Sequence, residues 1–167
     1  MTYKAYVALL ALILAPLLAD DAVWDSNFSR GLRGWQLGHG CTLRREGATM
    51  FVRLVGPSRD GVAECRSPLL ELDGKEQEYE LTCTYRTEIQ DSHLHGGAWF
   101  ILYKRDADDK MVGDWTGVIL KPSAKWGTAS GKIVIPAGTK TFQAGIRVQG
   151  RVGRVLDVKS VTLRRVR

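Results

Sequence analysis

Thr141-Phe-Gln-Ala-Gly-Ile-Arg-Val-Gln149, followed by Val155-Leu-Asp-Val-Lys-Ser-Val-Thr-Leu163, decides how the chain is read. In the first run Phe142, Ala144, Ile146 and Val148 alternate with Gln143, Gly145, Arg147 and Gln149. That period of two belongs to a strand with one buried and one polar face. Gly150-Arg-Val-Gly153 supplies a turn, and the β-branched second run is expected to pair back on the first as a hairpin. A run this apolar needs sheet neighbours, which must come from earlier in the chain.

Working back, Tyr79-Glu-Leu-Thr-Cys-Thr-Tyr-Arg86 repeats the alternation, with Tyr79, Leu81, Cys83 and Tyr85 on one face. Ala98–Tyr103 is apolar on both faces. Shorter strands are expected at Trp35–Arg45, Thr49–Val55, Gly61–Cys65, Leu69–Leu72, Gly117–Lys121 and Lys132–Ile135. Glycine-rich or polar turns separate them, and no helical period persists beyond a turn or two after the first segment. Short strands at roughly 8–12-residue spacing indicate an all-β, two-sheet antiparallel sandwich.

That first segment is different. Met1-Thr-Tyr-Lys4 is a basic lead, Ala5–Leu18 is apolar, and Ala19 is a small residue at a cleavage position. The apolar run is short of the roughly 20 residues that span a bilayer. Residues 1–19 therefore read as a signal peptide, and 20–167 as a single domain with no membrane span after cleavage. The expected location is secreted, periplasmic or cell-surface.

The formal net charge of +6 falls to +5 once Lys4 is lost, and much of the excess lies in Arg151, Arg154, Lys159, Arg164, Arg165 and Arg167. No nucleic-acid motif accompanies it, so the charge reads as edge protection and no nucleic acid is expected as a partner. Cys41, Cys65 and Cys83 make an odd count. Cys83 is in phase with buried neighbours, which leaves Cys41 and Cys65 as the candidate disulfide pair.

Several stretches resemble CenC-type carbohydrate-binding modules. Asn27-Phe-Ser-Arg-Gly-Leu-Arg-Gly-Trp35 is similar to their opening, and Leu69-Leu-Glu-Leu-Asp-Gly74 with Tyr79-Glu-Leu81 to their turn-then-tyrosine strand. Trp126 with Lys132-Ile-Val-Ile-Pro-Ala-Gly-Thr139 resembles their tryptophan, short strand and turn, and Val155–Leu163 their closing strand. The resemblance implies a galactose-binding-like jelly roll that binds polysaccharide or oligosaccharide, without catalysis and without a cofactor. It further implies that Trp35 and Trp126 belong to the core, and that a separate glycan-degrading enzyme is a plausible partner. The family's usual glutamate and aspartate are replaced here by Ser29 and, in the register set by Val161-Thr-Leu163, by Lys159. Both carboxylates help hold a structural calcium in the family, so no metal is expected. A shift of one step that put Asp157 in that place would reopen the question.

Sugar rings offer an apolar face and hydroxyls, which tryptophan or tyrosine with nearby polar groups can match. Trp99 and Tyr103 share one phase of their strand while Phe100 and Leu102 share the other. Trp99, Tyr103 and Trp115 are the expected ligand-facing aromatics, with Arg86, Gln143, Arg147 and Gln149 as polar partners.

Two other groupings are set aside. Asp91-Ser-His-Leu-His95 has metal-ligand spacing but lies between loop signals. Glu71-Leu-Asp-Gly-Lys-Glu76 imitates a glycosidase string, yet Asp73-Gly74 is a turn, and paired carboxylates need rigid backbone. No catalytic residues are expected. A secreted structural or protein-interaction sandwich without a sugar site is the alternative, and a small glycan hydrolase or lyase ranks below it.

Overall fold

The computed structural model describes residues 22–57, 61–89, 97–114, 116–150 and 153–166. The expected signal peptide, Trp115 and the Asp91–His93–His95 grouping lie outside the described residues. Among the described residues no helix is long and apolar enough to cross a membrane.

Among the described residues, twelve strands form two antiparallel sheets. They are β1 (Ala22–Ser26), β2 (Gln36–Leu37), β3 (Cys41–Glu46), β4 (Thr49–Val55), β5 (Val62–Arg66) and β6 (Leu70–Glu71), then β7 (Gln77–Thr87), β8 (Gly97–Arg105), β9 (Thr116–Ile119), β10 (Ser123–Ile135), β11 (Thr141–Gln149) and β12 (Val155–Arg165). The first sheet has the order β10-β7-β12-β4-β3, with β1 also paired to β12. The second has the order β2-β5-β11-β8-β9, with β6 also paired to β11.

The expected terminal hairpin is not there. β11 pairs with β5, β6 and β8, whereas β12 pairs with β1, β4 and β7. The two runs are inner strands of opposite sheets. The physical reason lies in the partners available to each backbone: β5 and β8 take the two edges of β11, and β4 and β7 take the two edges of β12, so neither strand has an edge left for the other. The stretch read as one strand from Trp35 to Arg45 divides likewise, β2 in one sheet and β3 in the other. Gly40 makes that corner with φ +75, where a Cβ would come within 3.0 Å of Ala63 Cβ.

Between the layers, Val52, Leu54, Tyr79, Leu81, Cys83, Leu156, Val158, Val161 and Leu163 meet Ala63, Cys65, Phe100, Leu102, Phe142, Ala144, Ile146 and Val148. Trp24 stacks on Phe142 with centroids 5.6 Å apart, and Trp35 meets the edges of both Trp24 and Phe28. Trp35 is a core residue, and its Nε1 donates to Ser26 Oγ at 2.8 Å.

Trp126 is not a core residue. It lies on β10, an edge strand of the first sheet, partly exposed, with its ring against Phe51 and under the Arg86 guanidinium. An edge strand has one flank without a sheet neighbour, and β10 turns mostly polar and small side chains to its surroundings. β12 carries a bulge between Val158 and Ser160 that turns Lys159 to solvent. Asp157 is committed to two guanidiniums instead, as described below.

All three cysteines are free thiols. Cys41 sits on β3 in the first sheet and Cys65 on β5 in the second. Burial pushes the Cys41 thiol up to about 11 and raises Cys65 and Cys83 further, so the reactive thiolate is scarce near neutrality. Brief iodoacetamide treatment of the native protein at pH 8 is therefore expected to leave Cys65 and Cys83 unmodified. The same reagent in guanidinium is expected to add three carbamidomethyl groups by mass. Two missing groups in the denatured sample would place a disulfide between two of these positions.

Candidate functional site

The apolar phase of β11 and β8 faces inward, so the opposite phase is delivered to the outer face of the second sheet. Strand register then lines up Glu64, Arg147, Trp99 and Ile119 in one row across β5, β11, β8 and β9. The neighbouring row is Arg66, Gly145, Ile101 and Gly117, and beyond it Gln143 pairs with Tyr103. Five expected site residues, Trp99, Tyr103, Gln143, Arg147 and Gln149, therefore share this face.

Trp99 is half-buried and lies opposite Ile119, which is 53% exposed. Together they make an apolar strip at the β9 edge. The middle of the face is polar and closely connected. The Tyr103 hydroxyl donates to Glu64, and Arg147 Nη2 donates to the Tyr103 oxygen at 2.9 Å. Arg66 Nη2 reaches Glu64 at 3.2 Å, while its guanidinium lies 4.9 Å above the Tyr103 ring. Tyr103 is thus largely covered, at 8% exposure, where the sequence suggested an open stacking surface. Two long arginines rise over it, and a phenol beside a carboxylate and two guanidiniums has enough partners to be drawn in.

Burial first, and the Glu64 carboxylate second, raise the Tyr103 pKa above its ordinary value of 10. The phenol stays protonated through neutral pH, and its one proton is held in the bond to Glu64. Because its neutral form is favoured in the folded state, its contribution to stability holds below pH 10 and is lost as pH rises past the folded value.

Beside this network a cleft of about 390 Å³ is lined by Gln36, Leu37, Gly38, His39, Val62, Glu64, Arg66 and Arg147. Among the described residues, Arg147 Nε is buried and has no acceptor. Gln143 is less free than its position suggests, since Nε2 donates to the Ser67 carbonyl at 2.8 Å.

Arg86 does not join this group. It belongs to β7, on the outer face of the first sheet, where it binds Asp157 and Glu46 and covers Trp126. Alternation gave the correct phase for Arg86, but only topology assigns a strand to a sheet. Glu64 and Arg66 were not foreseen, because β5 is short and their alternation with Ala63 and Cys65 gives little signal.

Gly145 makes the centre of the face possible. A Cβ at this position would overlap Glu64 Oε1 and come within 3.0 Å of the Tyr103 ring. Gly145→Ala is expected to push the flexible Glu64 carboxylate aside at small cost in stability, leaving the phenol without its acceptor. Alkaline titration of tyrosine absorbance should then show one phenol ionising at lower pH than in the parent. An unchanged titration would mean that Glu64 does not hold Tyr103.

Among the described residues, no group of three or more histidine, cysteine, aspartate or glutamate side chains could hold a metal ion. Asp73 of the glycosidase-like string closes a turn, accepting from Lys75 N at 3.0 Å and Gln77 Nε2 at 2.8 Å.

No protein-family profile matches the chain, and no curated protein matches it. Solved structures do match, and they share its fold. TmCBM61 in complex with β-1,4-galactotriose superposes with a TM-score of 0.55 at 16% identity, over 84% of this chain and 94% of that one. The CBM22-1 xylan-binding domain from Paenibacillus barcinonensis Xyn10C gives 0.55 at 15% identity, over 89% and 97%. The enzymatically active domain of bacteriophage CBA120 tailspike protein 4 gives 0.60 at 12% identity over 84% of this chain, but this chain spans only 20% of its length. The fold is the antiparallel two-sheet jelly-roll sandwich of carbohydrate-binding modules.

Proposed function

We propose that the protein is a non-catalytic carbohydrate-binding domain that takes an oligosaccharide or polysaccharide chain across the outer face of its second sheet. The observation that carries this reading is the row Glu64–Arg147–Trp99–Ile119, which sets an apolar strip beside a network of donors and acceptors. Sugar rings have the same two-sided chemistry, an apolar face and a rim of hydroxyls. Trp99 offers the stacking surface, Glu64, Arg66, Arg147 and Gln149 offer hydrogen bonds, and Tyr103 holds Glu64 and Arg147 in place.

Likeness of fold to modules solved with bound saccharides supports the same class of ligand. The finer likeness, to CenC-type modules, rests on the sequence motifs quoted above. We place the mature chain outside the cytoplasm, secreted, periplasmic or at the cell surface, after loss of residues 1–19. A separate glycan-degrading enzyme working on the same polymer is the natural partner for such a domain.

Affinity electrophoresis in gels cast with neutral and acidic polysaccharides tests the reading. Retardation by at least one neutral polymer is expected, and Trp99→Ala should remove it. Migration unaffected by every polymer would leave a sandwich that serves structure or protein contacts.

A further inference from the structure

Strands at the edge of a sheet carry backbone N–H and C=O groups without sheet partners, and proteins blunt such edges by shortness, charge, proline or bulges. Most edges of this molecule follow that rule. β2 and β6 have two residues each and β9 has four, β1 carries Asp25, and β3 carries Arg44, Arg45 and Glu46. β10 departs from it. It runs for 13 residues, and among the described residues only β7 pairs with it. Pro122 and Pro136 stand just outside, so every position within β10 has an N–H, and Trp126-Gly-Thr-Ala-Ser-Gly131 carries no charge. From Gly127 to Ile135 its pairing with β7 has no bulge, so the opposite flank is regular too.

Along that stretch Thr128, Ser130, Lys132 and Val134 are exposed on the outer face, while Ala129, Gly131, Ile133 and Ile135 turn inward. Trp126 belongs to the outer face, where the Arg86 guanidinium lies 4.6 Å over its ring and Phe51 meets it at 5.6 Å. Arg86 and Arg53 are themselves fixed on the Asp157 carboxylate, by Nε bonds of 2.8 and 2.7 Å. The indole is thus held in one pose while remaining partly exposed. Toward the other end, Lys132 is steadied by Glu78 at 2.8 Å with its side chain 70% exposed.

We propose that the free flank of β10 is a dimer interface, which takes β10 of a second copy of this chain as an antiparallel neighbour. A two-fold axis normal to the sheet keeps outer side chains opposite outer side chains. The register centred on Ala129 meets that condition and uses the whole strand, from Ser123 to Ile135. It sets Trp126 opposite the partner's Lys132, Thr128 opposite the partner's Ser130 and Gly127 opposite the partner's Gly131, each contact occurring twice. An ammonium against an indole and a hydroxyl against a hydroxyl are favourable cross-strand pairs, and no like charges stand opposite one another. A foreign strand would gain the same backbone bonds, but this edge matches its own sequence. Because the axis is normal to the layers, both Trp99 faces look the same way, and a polymer would meet two of them at once. The dimer itself does not rest on the reading of that face.

Sedimentation velocity of the mature chain between about 10 µM and 1 mM, the range that populates a weak interface, is expected to show a monomer–dimer equilibrium. Thr128 is exposed, so substitutions there test the pairing without touching the core. Thr128→Lys sets lysines diagonal to the partner's Lys132 and should raise the dimer Kd roughly fivefold or more, whereas Thr128→Glu should leave it equal or lower. Trp99→Ala should not change it, so this reading and that of the sugar face fail separately. In a sample mixing labelled and unlabelled chains, NOEs are expected between Gly127 and the partner's Gly131. A monomer throughout the range, a dimer weakened equally by both Thr128 variants, or inter-chain NOEs confined to other strands would overturn the proposal. So would protection of the outward-pointing β10 amides from exchange in the monomer, which would mean that the flank is already covered.

Discussion

On the proposed function, Trp99→Ala is expected to lower the affinity of the second sheet's outer face for an oligosaccharide by roughly five- to thirtyfold, with little change in melting temperature. The side chain is half-buried on a solvent-facing sheet surface, so its removal opens no hole between the layers. What it removes is a platform. A pyranose covering about 40–80 Å² of apolar indole surface gains on the order of 1–2 kcal/mol, and each 1.4 kcal/mol is a factor of ten. Trp99→Phe should restore part of the affinity, because a smaller ring still stacks. Isothermal titration of the two variants beside the parent would check this. Equal affinity in all three would move the site away from β8.

Asp157→Asn is the second large effect, and it falls on stability. One carboxylate balances two guanidiniums in a position from which it has almost no access to water. Removing the charge from a buried pair ordinarily costs about 3–5 kcal/mol. Here the arginine side chains remain 36% and 23% exposed and can rehydrate, which reduces the expectation to about 2–3 kcal/mol. For a chain of this size that corresponds to a melting temperature lower by roughly 5–10 °C. Glu78→Gln is the contrasting case. Its partner Lys132 is a surface group, the pair at 2.8 Å stands in water, and the melting temperature should not move. Thermal denaturation of both variants separates the cases, and equal midpoints would mean that Asp157 is solvated in solution.

The alternation along β7, β8 and β11 was legible before any coordinates, because each long strand has one face against the core and the period of two follows directly. The same alternation placed Trp99, Arg147 and Gln149 on an outer face. It could not say which outer face, and so Arg86 was grouped with residues from which it is separated by the whole core. Nor could it see that β11 and β12 part company, since a four-residue turn signal reads the same whether the chain folds back or crosses between layers. Trp126 shows a different limit. A tryptophan is assigned to the core by size, but an arginine and a phenylalanine can shelter its ring at the surface nearly as well. Glu64 was invisible because its importance comes from Gly145 and Tyr103, which are neighbours only in space.

The parting of β11 and β12 bears on how the molecule comes into being. Strands β4, β5, β7 and β8 all emerge earlier in synthesis, yet each lacks a principal neighbour until residues 141–165 appear. A chain that has reached β10 has two incomplete layers and an unsealed interior, because non-local pairings form only once both partners are present. Both layers are thereby closed only when residues 141–165 are in place.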